Sequence, residues 1–124
     1  MKQLHDFHGL TRALLGIAKL ESYLYHLDQA YKFYQQSLHL ARRIGDLSGE
    51  AYILYGLGKI KFFRNQFDDA RAFYHQALPI IIQIGNSEGE VKIWRSLGDI
   101  ERRAERCDFS EKAYGQALKL AKKN

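Results

Sequence analysis

Proline, cysteine, methionine and tryptophan each occur once in the 124 residues. One cysteine, Cys107, cannot make an internal disulfide, which excludes a disulfide-stapled secreted scaffold and leaves the cytoplasm as the expected compartment. A single proline leaves nearly the whole chain free to form helices. Long hydrophobic runs are also missing. The longest, Ala77-Leu78-Pro79-Ile80-Ile81-Ile82, is broken by its proline and falls far short of the ~18 residues that cross a bilayer. The opening Met1-Lys2-Gln3-Leu4-His5-Asp6 lacks the basic-then-apolar layout of a secretion signal. No membrane partner is expected. With 46% hydrophobic residues the chain has too much apolar material for intrinsic disorder and enough to bury a core.

Catalytic constellations are missing too. Histidines stand at 5, 8, 26, 39 and 75; only His5 and His8 are close, and a metal site needs further ligands in fixed geometry. Gly45, Gly49, Gly56 and Gly58 lack the Gly-Lys-Ser/Thr ending and the preceding strand of a phosphate loop. Carboxylate pairs such as Glu88 with Glu90, or Asp68 with Asp69, fall at helix starts, where the helix dipole accounts for them. Cys107 is in register with Leu27 and Phe67, so packing is its expected role. The sequence therefore predicts no enzyme, no metal and no cofactor. The net charge of +5 favours acidic partners, whether carboxylate-rich peptides, nucleic acid or anionic lipid, without choosing among them.

What is present is repetition. A shift of 40 residues aligns Ile44-Gly45-Asp46-Leu47-Ser48-Gly49-Glu50 with Ile84-Gly85-Asn86-Ser87-Glu88-Gly89-Glu90, and Leu57-Gly58 with Leu97-Gly98. Tyr34, Tyr74 and Tyr114 fall in line, as do Leu38, Leu78 and Leu118. Asp6 and Gly9 sit one period before Asp46 and Gly49. The units run about 5–44, 45–84 and 85–124, with no insertion, inside one domain spanning 1–124.

Each unit reads as two helices. In the second, Ile53, Leu54, Leu57, Ile60 and Phe63 keep helical spacing, then Ala70, Phe73, Tyr74, Ala77, Leu78 and Ile81 do so again. Gly45 and Gly85 are placed to end helices and Asp46 and Asn86 to cap the next, with Ser87 and Glu90 as an alternative box one residue later. Asp28, Asp68 and Asp108 are expected to cap the second helices, Asp108 with Glu111 as a capping box. Ala18, Gly58 and Gly98 share one position of the first helix, and Ala30, Ala70 and Ser110 one of the second. Such small residues let helices approach closely. A lone hairpin cannot cover its apolar face, and stacked hairpins can. The fold class is thus all-α, a right-handed superhelical solenoid of three helix–turn–helix repeats and six helices.

Trp94-x-x-Leu97-Gly98, Ser110, Tyr114 and Ala117-Leu118, together with Leu57-Gly58, Ala70, Tyr74 and Ala77-Leu78, resemble the tetratricopeptide repeat pattern over essentially the whole chain. The longer period, with its Gly-Asp-x-x-Gly-Glu turn, is similar to the 40-residue variant found in arrays of signalling and scaffolding proteins. The chain departs from the pattern where Glu21, Lys61 and Glu101 replace the usual tyrosine of the first helix, where Ala18 replaces the glycine, and where Ser110 replaces the alanine. Pro79 inside a helix should bend it unless it faces outward.

The resemblance implies a protein- or peptide-binding scaffold whose first helices line a concave groove. Carried onto this chain, the groove residues are Arg12, Leu15, Lys19, Ser22 and Tyr23, then Tyr52, Tyr55, Lys59, Phe62 and Phe63, then Lys92, Arg95, Asp99, Arg102 and Arg103. That is an aromatic middle beside a basic third unit, suited to a segment with apolar anchors and acidic residues. Of the residues that a clamp for chaperone tails would need, only Lys92 matches; Leu15, Gly56 and Ser96 stand where polar or basic groups belong. A nucleic-acid-binding helical repeat is the alternative, weakened by interspersed acids such as Asp99, Glu101 and Glu105. A self-association module within a larger regulatory protein is the other. After Leu120, Ala121, Lys122, Lys123 and Asn124 no further helix caps the last hairpin, and the face of Phe109, Ala113 and Leu120 is expected to be partly exposed. Either the chain is a piece of a longer array, the favoured reading, or copies cover one another's ends as a homo-oligomer.

Overall fold

Helices form where the 40-residue period places apolar stripes, and glycine or another left-handed residue follows each of the first five. The computed structural model describes residues 6–123, over which α1 (Phe7–Tyr23), α2 (Leu27–Ile44), α3 (Leu47–Phe63), α4 (Phe67–Gln83), α5 (Ser87–Arg103) and α6 (Cys107–Lys123) follow one another. They pair as three antiparallel hairpins stacked in chain order, α2 against α3 and α4 against α5. The described residues contain no strand. The architecture is an all-α repeat solenoid.

The turns between hairpins are capped as the sequence indicates. Asp6, Asp46 and Asn86 accept hydrogen bonds from the amides of Gly9, Gly49 and Gly89 at 2.8, 2.9 and 2.9 Å. Since α5 begins at Ser87 with Asn86 as its cap, the alternative box starting at Ser87 is not used. Gly45 and Gly85, at φ 70° and 71°, turn the chain out of α2 and α4.

The turns inside hairpins correct the sequence reading. Asp28, Asp68 and Asp108 are the second residues of their helices and cap nothing; His26 and Gln66 stand at the N-cap positions of α2 and α4 with no side-chain cap bond. Asp108 and Glu111 therefore form no capping box. The physical reason is that a left-handed residue (Tyr25, Asn65 or Glu105, φ 63°, 60° and 60°) closes the turn through the backbone. The amides of His26, Gln66 and Arg106 donate to the carbonyls of Glu21, Lys61 and Glu101 at 2.8, 2.9 and 2.7 Å. The aspartates then sit two residues too deep to cap, but near the positive end of the dipole.

The core lies between the hairpins. Ile53, Leu54, Leu57 and Ile60 on α3 are buried, as are Ile93, Leu97 and Ile100 on α5. Opposite them, Tyr34, Leu38 and Ala41 of α2 and Tyr74 and Ala77 of α4 are buried. Helix α3 touches both its own partner and the preceding hairpin, so only its groove side reaches water. Ser110, the departure from alanine, is satisfied by donating to the Gly98 carbonyl at 2.9 Å. Pro79 is exposed, and α4 runs through it as one helix. Cys107, expected to pack, is exposed instead: it is smaller than its counterparts Leu27 and Phe67, and no described residue follows α6 to cover it. At the last hairpin Ala113 is buried, while Phe109 and Leu118 are the large apolar side chains left exposed on α6.

Glycine controls the closest approaches. A Cβ on Gly58 would lie 2.6 Å from the ring of buried Tyr74, whereas one on Gly16 meets nothing within 4 Å. Both are helical. Gly16→Ala should therefore stabilise by about 0.5–1 kcal/mol through lowered unfolded-state entropy. Gly58→Ala should destabilise by about 1–3 kcal/mol through overpacking. Thermal melts of the two variants should shift in opposite directions.

Candidate functional site

The exposed side of α1 and α3, seen across the first inter-hairpin junction, forms an open cleft of about 520 Å³. Helical spacing puts Lys19, Ser22 and Tyr23 on its α1 wall, and Tyr52, Tyr55, Gly56, Lys59 and Phe63 on its α3 wall. Tyr34 reaches its floor from α2 and Tyr25 its rim from the hairpin turn. No carboxylate lines it. The Lys19 ammonium lies 5.1 Å from the Tyr52 ring centroid and that of Lys59 5.5 Å from the Tyr55 centroid, so each cation sits over an aromatic ring of the cleft. Tyr25 and Phe63 stack at 6.2 Å. Tyr23 is 92% exposed, a large aromatic side chain standing almost wholly in water.

A second, smaller cleft of about 190 Å³ continues the first between α3 and α5. Tyr52 and Tyr55 line both, and Lys92 joins them from α5. Of the fifteen residues expected in the groove, the structure gathers Lys19, Ser22, Tyr23, Tyr52, Tyr55, Lys59, Phe63 and Lys92 into these two adjoining clefts, while Leu15 packs against the core instead. Arg12 and Arg95 are exposed on α1 and α5 but line neither.

The other four, Phe62, Asp99, Arg102 and Arg103, are occupied elsewhere. Phe62 packs on Phe67 at 6.0 Å under the Arg103 guanidinium, 5.2 Å from its ring. Arg103 also donates to the Asn65 side-chain oxygen at 2.9 Å. Arg102 pairs with Asp99 at 3.5 Å and donates to the Tyr114 hydroxyl at 3.2 Å; that hydroxyl donates in turn to Asp99. The hydrogen bond that Arg102 donates to Tyr114 is the main reason its guanidinium is held above the usual range. Two aromatic residues of the first cleft were not anticipated. Tyr34 carried a core signal, and it reaches the cleft only because its ring lies over Gly56, where a Cβ would stand 2.6 Å away. Tyr25 had no signal, since the aligned residues are Asn65 and Glu105.

Among the described residues no group of three or more histidine, cysteine, aspartate or glutamate side chains could hold a metal ion. His8 is exposed, and His5 lies outside the described residues. No described helix is long and apolar enough to cross a membrane.

A family profile described as tetratricopeptide repeat matches residues 9–83 and 50–123. No curated protein matches the chain in sequence. Among solved structures, the TPR domain of Arabidopsis FLU is similar with a TM-score of 0.88 at 16% identity, over 96% of this chain and 100% of that one. BtubC from P. vanneervenii gives 0.90 at 20% identity over 99% of this chain, which spans 50% of its length. The N-terminal domain of stress-induced protein-1 from C. elegans gives 0.78 at 11% over 97% and 95%. At such identities the likeness shows the fold alone.

Burial pushes the Tyr34 hydroxyl up to about 12, with Tyr52 as a lesser cause. Burial also raises Tyr74, against the opposing hydrogen bond from Ser96. A tyrosine whose folded value exceeds its unfolded one stabilises the fold fully below about pH 10 and loses that contribution as pH climbs. The melting temperature should therefore fall between about pH 10 and 12. Tyr34→Phe should reduce the fall, as followed by circular dichroism.

Proposed function

Because the chain belongs to the tetratricopeptide repeat family, we propose that it is a peptide-binding scaffold module whose groove holds a partner segment carrying acidic residues beside an apolar anchor. Arrays of this family are protein-interaction scaffolds and in general not catalytic. The finer reading rests on one observation: two lysines stand over tyrosine rings in a cleft that no carboxylate lines. Neither Lys19 nor Lys59 has an ion pair among the described residues. An arriving carboxylate displaces only water from them, and the rings give an apolar anchor a wide surface with few torsions to freeze.

Arg12 lies seven residues before Lys19 on α1, whereas Lys92 shares the second cleft with Glu88 and Arg102 and Arg103 already have partners. The affinity of the groove is thus centred on the first junction rather than on the third unit. The lack of a spanning helix in the described residues is compatible with work in the cytoplasm.

Peptides selected from a random display library on the intact chain should be enriched in aspartate or glutamate next to an aromatic or aliphatic residue. Lys19→Glu and Lys59→Glu should each weaken a selected peptide about tenfold or more in fluorescence anisotropy. Lys32→Glu, which lines neither cleft, should leave it unchanged. Selected peptides without acidic enrichment, or equal losses in all three variants, would reject the groove. Displacement of the peptides by single-stranded RNA, with an affinity falling steeply as salt rises, would favour a nucleic-acid partner instead.

A further inference from the structure

The two junctions inside the solenoid use the same register but different chemistry. Positions 30 apart face each other: Lys61 lies over the Tyr31 ring at 4.7 Å, and Arg71 grips Glu101 with two hydrogen bonds of 2.7 and 3.2 Å. Positions 38 apart meet as Tyr25 with Phe63 and as Asn65 with Arg103. Asp28 pairs with Arg64, 36 residues on. Tyr34 packs on Gly56, and Ser96 lies near the Tyr74 hydroxyl, both 22 apart.

Helix α6 carries the next set in the same register. Glu105, Asp108 and Glu111 stand where Tyr25, Asp28 and Tyr31 stand in the first unit, and Tyr114 and Leu118 repeat Tyr34 and Leu38. No ion pair joins Glu105, Asp108 or Glu111 to any described residue. Leu118 is 58% exposed where Leu38 is 6%. The face is therefore continuous in register with two formed interfaces and has an apolar centre edged by three carboxylates.

We propose that the α6 face is a docking surface for a helical hairpin of a partner protein that presents a small residue and, five, seven and eight positions after it, basic residues. The spacing is that of Gly56 with Lys61, Phe63 and Arg64, and of Ser96 with Glu101, Arg103 and Ala104. The small residue receives Tyr114, and the cations meet Glu111, Glu105 and Asp108. A second copy of this chain does not qualify. Its α1 offers the small Gly16, but Glu21, Tyr23 and Leu24 follow at those spacings, so Glu111 would meet a carboxylate. Like charges across an interface oppose association. The mismatch opposes stacking of copies through the exposed Leu118 on α6 and Ile17 and Leu20 on α1.

The protein itself can supply the test partner. Glu21→Lys gives α1 the missing cation, and Leu24→Arg recreates across copies the pairing of Asp28 with Arg64. Sedimentation velocity over a hundredfold concentration range should show one small species for the unchanged chain. It should show association at least about tenfold stronger in the Glu21→Lys/Leu24→Arg variant, weakened by salt. Adding Glu111→Lys should restore the small species. Circular dichroism melts confirm that each variant is folded, and Leu24→Arg alone, at an exposed site, should give a smaller effect of the same sign. A folded Glu21→Lys/Leu24→Arg variant that stays small overturns the proposal. So does an unchanged chain that associates equally well, or association that Glu111→Lys leaves intact.

Discussion

Everything in this molecule depends on a tyrosine ring laid against a residue without a side chain. Tyr34 is close over Gly56, Tyr74 over Gly58 and Tyr114 over Gly98, each so near that a Cβ would stand 2.5–2.6 Å from the ring. The side on which the glycine lies differs. Gly58 and Gly98 belong to the same hairpin as their tyrosines, whereas Gly56 belongs to the next. In the first hairpin Ala18 occupies the position of Gly58, and the missing space is supplied across the junction. In the second, Ser96 takes the place of Gly56 and lies near the Tyr74 hydroxyl instead. One close approach per ring suffices, because an aromatic plane has two faces and only one need touch backbone.

That geometry makes the groove. A ring wedged between consecutive hairpins fixes how α1, α3 and α5 follow one another, and so which of their residues face the same open side. Tyr34 does both jobs: its body fills the junction while its edge floors the cleft. Burial raises its hydroxyl to about 12, but a tyrosine is neutral at ordinary pH with or without that shift. The cleft therefore owes its positive character to its lysines and to the absence of any acid, not to an unusual titration.

The parts legible in the sequence were those set by the repeat itself. Gly45 and Gly85 announced left-handed turns, Asp46 and Asn86 announced caps, and the alignment of small with large residues announced the stacking. What was not legible depended on neighbours in space. Asp28, Asp68 and Asp108 looked like caps because short acids before an apolar run usually are. The backbone closure around Tyr25, Asn65 and Glu105 puts the helix start two residues earlier, and of those three side chains only Asn65 favours a left-handed turn. Arg102 and Arg103 looked free because their partners, Tyr114 with Asp99 in one case and Asn65 with Phe62 in the other, lie 3 to 41 positions away in sequence.

Repeats with identical contacts could stack in any order, and with copies of themselves. Here the shared register carries a cation over a ring at one junction and a nearly buried ion pair at the other. Exchanging units would place Lys61 opposite Arg71, two cations in a site where Glu101 is only 7% exposed. Leaving a charge there without its counterion costs far more than the pair contributes to stability. The departures from the family pattern at Glu21, Lys61 and Glu101 are thus the positions that give each hairpin its place, while the tyrosine–glycine contacts, common to all, hold whatever order those charges permit.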